Sequence, residues 1–309
     1  MLDFSKFKNR RLRGAGIGEV LFDVYPTGPK LGGAPANFAF HCKELGVDAL
    51  MISSVGRDEL GFAARDLLAA EFLPALLPDN DHPTATVQVS MSSGGIPDYT
   101  FAADTAFDHL PLTDLMLQTA KRLDMVCFGS LAQRSAPSHQ TIQALLAALP
   151  AGALRVFDVN LRGNYYCKHI IETSLASTDI LKCNENELPV LCEYAGLTEK
   201  TPATYYAYLK GRGIFGFIFT EGAHQSTIFL NDECSVLPTP KIRSVDTVGA
   251  GDAFTAAAVS MLMRGFTLQD SHHLAVETAA YVCTQQGGML QLPAELVLKS
   301  LPPFPEQER

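Results

Sequence analysis

A chain of 309 residues with 47% hydrophobic content can bury a large core, and α/β folds of this size often form one domain. The formal net charge is −9 and no Lys/Arg cluster forms a basic stripe; the run 8–13 reads as a solvated segment, so a nucleic-acid partner is not expected. No stretch approaches about 18 uninterrupted apolar residues and the start carries no export signal, so the expectation is a cytoplasmic protein with no membrane partner. Cys42, Cys127, Cys167, Cys183, Cys192, Cys234 and Cys283 are scattered and never spaced C-x-x-C, which fits reduced thiols better than disulfides or structural zinc.

In chain order, residues 12–20 read as a strand. It carries Gly14-Ala15-Gly16-Ile17-Gly18, but 19–25 continues as strand where a dinucleotide fingerprint requires a helix. Pro26, Gly28 and Pro29 forbid a helix over 20–31, where a strand pair is expected. Alternation puts Glu19, Leu21 and Asp23 on one face; Asp23 is then either an exposed strand-end acid or an acceptor for sugar hydroxyls. Gly32-Gly33-Ala34-Pro35-Ala36-Asn37 opens a helical window at 34–45. Two glycines there admit a ligand to the backbone, and Asn37 offers the donor and acceptor that a sugar diol requires. A loop with proline in the first helical turn explains the same residues about as well.

Residues 49–54 read as a strand and 61–72 as a helix. Residues 84–91 and 99–103 alternate in a β manner around 92–98, a hairpin that can pair with 20–31 into a small flap over a site that must exclude water. Beyond it, 125–128, 155–159, 180–183 and 215–220 are short apolar runs of the kind buried parallel strands show, with helical windows such as 139–149 between them. This rhythm implies an α/β fold, a doubly wound and mostly parallel sheet with helices on both faces and active loops at the strand C-termini.

The polar ends of those strands carry the next candidates. In Asp158-Val159-Asn160-Leu161-Arg162, Arg162 can fork to a phosphate or carboxylate. Asn184-Glu185-Asn186-Glu187 reads first as a capping box; alternatively, Asn184 and Glu187 hold Mg²⁺ through its waters. The segment Asp246-Thr247-Val248-Gly249-Ala250-Gly251-Asp252-Ala253-Phe254 leads a turn of small residues into a helix closed by Arg264 and Gly265. Free N–H groups at that helix start favour an anion, and Gly249, Ala250 and Gly251 let a phosphate approach closely. With no G-x-x-x-x-G-K-[ST] in the chain, nucleotide phosphates would fall to this turn. On residue type alone Asp252 is a helix N-cap; the alternative is a carboxylate that orients or deprotonates an attacking hydroxyl. The helix N-terminus is expected to lower its pKa.

In order, spacing and length, these segments resemble the ribokinase-like (PfkB) carbohydrate kinases over essentially the whole chain. Gly32 to Asn37 looks like the family's N-terminal signature and Asp246 to Phe254 like its C-terminal one. The resemblance implies a single Rossmann-like domain over 1–309 with a β-sheet lid, here about 20–31 and 84–104, which often mediates homodimers. It also implies ATP-dependent phosphorylation of a sugar hydroxymethyl group. By motif, Asp252 is then the base and the N–H groups of Gly249, Ala250 and Gly251 the anion hole. Asp23, Gly32, Gly33, Asn37 and Arg162 face the sugar. Asn184, Thr220, Gly222 and Gly288 face the nucleotide, Glu187 meets Mg²⁺ through water, and Asp246 with the Val248 carbonyl matches a monovalent-cation site that K⁺ would occupy. The wording is closest to fructokinases, which implies fructose converted to fructose 6-phosphate. A 2-keto-3-deoxygluconate kinase, with Arg162 on the substrate carboxylate, is the alternative, followed by other sugar or nucleoside kinases. A sugar sensor without catalysis would have lost the base, the glycine turn or the acid of the Asn184 to Glu187 motif, and all three remain. One departure is the lid strand, which lacks a basic residue near Ala102.

Overall fold

The fold is described from a computed structural model over residues 4–8, 10–25, 28–91 and 97–301. Pro26 and the hairpin tip at 92–96 lie outside the described residues. The first strand, Arg13–Ile17 (β1), is shorter than expected, because the chain turns at Gly18 and Leu21–Tyr25 (β2) enters a second sheet. Glu19 therefore sits in the link between two strands and not on one strand with Asp23. β2 pairs antiparallel with Gly28–Gly32 (β3), which leads into helix Ala34–Glu44 (α1) with Pro35 in its first turn, where a missing N–H costs nothing.

Asp48–Ile52 (β4) runs parallel to β1. Val55–Gly56 (β5) leads to helix Glu59–Ala70 (α2), whose N-cap Asp58 accepts from the Gly61 N–H at 2.7 Å. Short strands Ala75–Leu76 (β6) and Asp79–Asn80 (β7) precede the hairpin Ala85–Met91 (β8) and Pro97–Phe101 (β9). β8 pairs parallel with β2, so the two excursions make one four-stranded sheet in the order β3-β2-β8-β9.

The second half alternates helix and strand. Helices Asp114–Ala120 (α3) and Ala136–Ala148 (α4) flank Met125–Phe128 (β10); Leu154–Asp158 (β11), Lys168–Leu175 (α5), Ile180–Asn184 (β12), Leu188–Ala195 (α6), Pro202–Gly211 (α7) and Gly216–Thr220 (β13) follow. Gln225–Leu230 (β14) and Glu233–Pro238 (β15) add an antiparallel edge before Ala250–Met263 (α8), Leu268–Cys283 (α9) and Ala294–Ser300 (α10). The central sheet has nine strands in the order β15-β14-β13-β12-β11-β10-β1-β4-β6. Its strand order reverses between β1 and β10, the position at which open α/β sheets leave a crevice for ligands.

Helices cover both faces because successive strand residues point oppositely. On β13, Phe217 and Phe219 join one core with Leu145, Leu209 and Tyr205, while Ile218 joins another with Phe38, Met261 and Leu274. Helix α8 is buried from Ala253 to Met263, which explains its run of Ala and Met, small or pliant residues that fit between α1 and α9. Arg264, expected as a basic last turn, is itself buried and donates to the carbonyls of Leu45 and Ser300, so it ties α8 to its neighbours. All seven cysteines are free. Among the described residues no helix is long and apolar enough to cross a membrane.

Candidate active site

The crevice at the strand reversal is closed by two helix starts, those of α1 and α8. Gly33 precedes α1 with φ 122°, and a Cβ there would collide with the Glu19 carbonyl. That close approach places buried Asn37 one turn into α1, and its Nδ2 donates to Oδ2 of Asp252 at 2.8 Å. Two segments 215 positions apart thus share one hydrogen bond.

On the other side Gly249 takes the left-handed conformation, φ 76°, and caps α8; a Cβ would come within 2.5 Å of the Gly288 Cα. The N-cap reading of Asp252 is thereby corrected. Its carboxylate lies inside the first turn and is spent on Asn37, not on the helix amides. The Ala250 N–H donates to the Thr247 carbonyl at 3.3 Å, while those of Gly249, Gly251 and Asp252 have no backbone acceptor among the described residues. Free amides at a helix N-terminus are a ready anion site.

Beneath the turn lies a group that the motifs did not include. Lys182, in the middle of β12, donates from Nζ to Oδ1 of Asp158 at the end of β11 at 3.0 Å, and both side chains are buried. A Cβ on Gly251 would be 3.2 Å from the Lys182 Nζ, so the ammonium sits directly under the anion turn. Burial opposes its charge, but Asp158, Glu187 and Asp252 hold its pKa above the ordinary lysine range. A lysine inside an otherwise apolar buried strand was the available signal, since such a charge requires a partner.

The expectation that the helix start lowers the pKa of Asp252 is also corrected. Desolvation and the neighbouring Asp158 push it up to about 6, against Lys182 and the Asn37 hydrogen bond. Removal of water from a carboxylate outweighs the partial charges of one helix turn here.

The side of the crevice next to β2 is richer in acid. Leu21 and Asp23 do share a face, since both flank Gly32, where a Cβ would come within 2.9 Å of Asp23 Oδ2. Burial raises Asp23 to about 6, with Arg162 opposing and Asp246 adding to the rise. Glu19 reaches the same space from the β1–β2 link. It is 2% exposed, its Oε2 has no hydrogen-bond partner among the described residues, and burial with the Asp252 charge raises it to about 7 while Arg162 opposes. Arg162 itself is exposed. Near Ala102, where the lid strand lacks a basic residue, Arg134 donates to the Ala102 carbonyl at 2.6 Å and pairs with Asp108 at 2.7 Å.

On the other side, Asn184 and Thr220 are register partners at the ends of β12 and β13, with Gly222 two residues on. The capping-box reading is corrected: the reciprocal bonds form, Asn184 Oδ1 accepting from the Glu187 N–H at 3.1 Å and Glu187 Oε2 from the Asn184 N–H at 2.9 Å, but they close a turn ahead of α6, whose N-cap is Glu187. Glu187 Oε1 also takes the Leu161 N–H, so this buried acid joins the ends of β11 and β12. Asp246 accepts from Val248 and Gly287 N–H groups. Gly288 lies against the Asn37 side chain and the Gly249 turn, and its carbonyl meets His41 Nε2 at 2.9 Å.

The sequence model of the pfkB family carbohydrate kinases matches residues 27–295. An uncharacterized sugar kinase from Pyrococcus horikoshii is 28% identical over 79% of this chain and 75% of its own. Its crystal structure in complex with ATP superposes with a TM-score of 0.78, at 25% identity, over 94% of this chain and 100% of that one. A fructokinase from Klebsiella pneumoniae is 29% identical over 90% of this chain and 95% of its own. An ATP-dependent 6-phosphofructokinase from Thermoanaerobacterium thermosaccharolyticum is 26% identical over 92% of each.

Proposed function

The chain belongs to the PfkB family of carbohydrate kinases and is an ATP-dependent sugar kinase, and from that premise we propose that its acceptor is fructose, converted to fructose 6-phosphate in the cytoplasm. The observation that carries the assignment of roles is the Asn37–Asp252 hydrogen bond, which sets the base between a sugar-side helix and the anion turn. The hydroxyl oxygen forms its bond to the γ-phosphorus as the bond to the bridging oxygen breaks, ADP leaves, and the hydroxyl proton passes to Asp252. A carboxylate raised to about 6 remains mostly ionised near neutral pH and is a stronger base than an ordinary aspartate. The N–H groups of Gly249 and Gly251, with Lys182 behind them, hold the transferring group's charge; positioning and neutralisation supply most of the catalysis in phosphoryl transfer.

Both Glu187 oxygens already accept backbone N–H groups, but each keeps a second lone pair, which fits a Mg²⁺ ion met through its waters. Bound Mg²⁺ would neutralise phosphate charge. Asn184, Thr220 and Gly222 line the nucleotide side. Asp246 and the Val248 carbonyl would hold K⁺, by the same lone-pair argument.

The choice of fructose rests on charge. Among the described residues Arg162 is the one cation that acts on both Glu19 and Asp23, so two acids share it, and an acceptor carrying a further negative charge, such as a sugar phosphate or a 2-keto-3-deoxygluconate carboxylate, is disfavoured there. Neutral hydroxyls suit these acids. The test is ADP release over fructose, tagatose, ribose, adenosine, 2-keto-3-deoxygluconate and fructose 6-phosphate, with and without Mg²⁺ and K⁺. Fructose should lead in kcat/KM by at least about tenfold. A higher value for either anionic acceptor would overturn the choice of sugar, and bound fructose with no turnover would replace the kinase reading by a sugar sensor.

A further inference from the structure

At the root of the small sheet three metal-ligating side chains converge that the proposed phosphoryl transfer does not use. His82 lies three residues before β8, Asp104 three residues after β9, and His109 ends the short 3-10 turn Ala106–His109. One ligand atom from each lies within 4.8 Å of the others. The two imidazoles stack at 3.5 Å between centroids, 18° from parallel, and His109 Nε2 is 2.6 Å from Asp104 Oδ1.

The backbone around them is fixed by one side chain. Asn80 Oδ1 accepts the His82 N–H at 2.9 Å, while its Nδ2 donates to the carbonyls of Ala106 at 2.8 Å and His109 at 3.3 Å. The turn is tied in addition to α4, where Ser138 Oγ donates to the Phe107 carbonyl at 2.6 Å. An Asp104–His109 ion pair accounts for two of the three groups. It leaves unexplained a second imidazole, neither of whose ring nitrogens has a hydrogen-bond partner among the described residues, stacked on the first.

We propose that His82, Asp104 and His109 bind a divalent transition-metal ion of the Zn²⁺ class, and that the ion clamps both strands of the β8–β9 hairpin to the main body. Imidazole nitrogens with one carboxylate select such ions, whereas Mg²⁺ and Ca²⁺ take oxygen ligands. Zn²⁺ bonds of about 2.0–2.2 Å place tetrahedral ligands roughly 3.3 Å apart, so the side chains must close and the rings tilt by rotation, which their partial exposure allows. Asp104 and His109 line an open cleft of about 460 Å³, which admits the waters that complete the shell.

The test titrates Zn²⁺ into the full chain without a histidine tag, by calorimetry and native mass spectrometry. A Cys167→Ser/Cys234→Ser background removes the exposed thiols. One Zn²⁺ should bind, with affinity weakened at least about 100-fold in His82→Ala and in His109→Ala. If the latter unfolds, His109→Gln keeps a partner for Asp104 and should lose the metal equally. Zn²⁺ should also slow hydrogen exchange of the Ala85–Met91 amides in the parent and not in the variants. Absence of stoichiometric binding, binding that survives in the His82→Ala/His109→Ala double variant, or binding that vanishes with the two thiols would overturn the site. Unchanged exchange on zinc loading would overturn the clamp.

Discussion

The two sides of the Asp252 carboxylate are built differently. On the proposed phosphate side the charges just named have partners: Lys182 has Asp158, Asp246 has two backbone amides, and Glu187, although burial raises its pKa, has two more. On the proposed sugar side groups are left over: Glu19 Oε2 and Asn37 Oδ1 are buried without hydrogen-bond partners among the described residues, and Glu19, Asp23 and Asp252 all sit above the ordinary carboxylate range. On the proposed reading, the phosphate side neutralises the same anion in every turnover, so its framework can be completed by the fold itself, and the sugar side keeps its polar capacity for hydroxyls, at a cost in folding stability that ligand hydrogen bonds can offset.

The strongest way to test this contrast is at the shared residue. Asp252→Asn keeps an acceptor for Asn37 but removes the base, so kcat should fall by about 10³-fold or more while fructose binding measured by calorimetry stays nearly intact. In the parent enzyme kcat/KM should fall as pH drops through about 6, because the base must be ionised; a flat profile to pH 5 would break the assignment.

Lys182→Met comes next. It leaves Asp158 buried and uncompensated, and should cost about 3–5 kcal/mol in urea unfolding. Partial recovery in Lys182→Met/Asp158→Asn would show that the pair, not the lysine alone, carries the effect.

On the sugar side the expected changes are smaller, and one has the opposite sign. The folded-state pKa of Glu19 is above its unfolded value, so the folded state holds the extra proton and stability falls as pH rises from about 4.5 through about 7. Glu19→Gln should remove that slope, gaining at most about 3 kcal/mol relative to the parent at pH 8. Equal melting-temperature differences between pH 5 and pH 8 in both proteins would contradict this. The smallest change is expected from Asp23→Asn, which should raise KM for fructose about tenfold and leave KM for ATP unchanged. A change in the ATP constant instead would move Asp23 to the other side of the site.

Much of the fold was legible because it depends on local pattern. Met125–Phe128 has the bounds read from its apolar run, and the strand–helix alternation after it follows from short buried runs between turn residues. The break at Gly18 was not legible: residues 12–20 are continuously strand-like, and only the departure of β2 into another sheet shows where the chain turns. That departure also moved Glu19 from a strand face into the site.

The signatures were equally local, and by themselves they marked Asp252, the Gly249 turn and Asn37, and with them the class of reaction. What the sequence could not determine was the state of those groups. Whether Asp252 caps a helix or faces a substrate depends on Asn37, 215 positions away, and its pKa depends on Asp158, Lys182 and the water that the folded chain excludes. Likewise Arg134 reaches the lid strand, and Lys182 the anion turn, only after folding. Backbone periodicity and turn chemistry are properties of neighbours in sequence and survive in a linear reading. Desolvation and charge pairing are properties of neighbours in space, so only the tertiary structure could decide them.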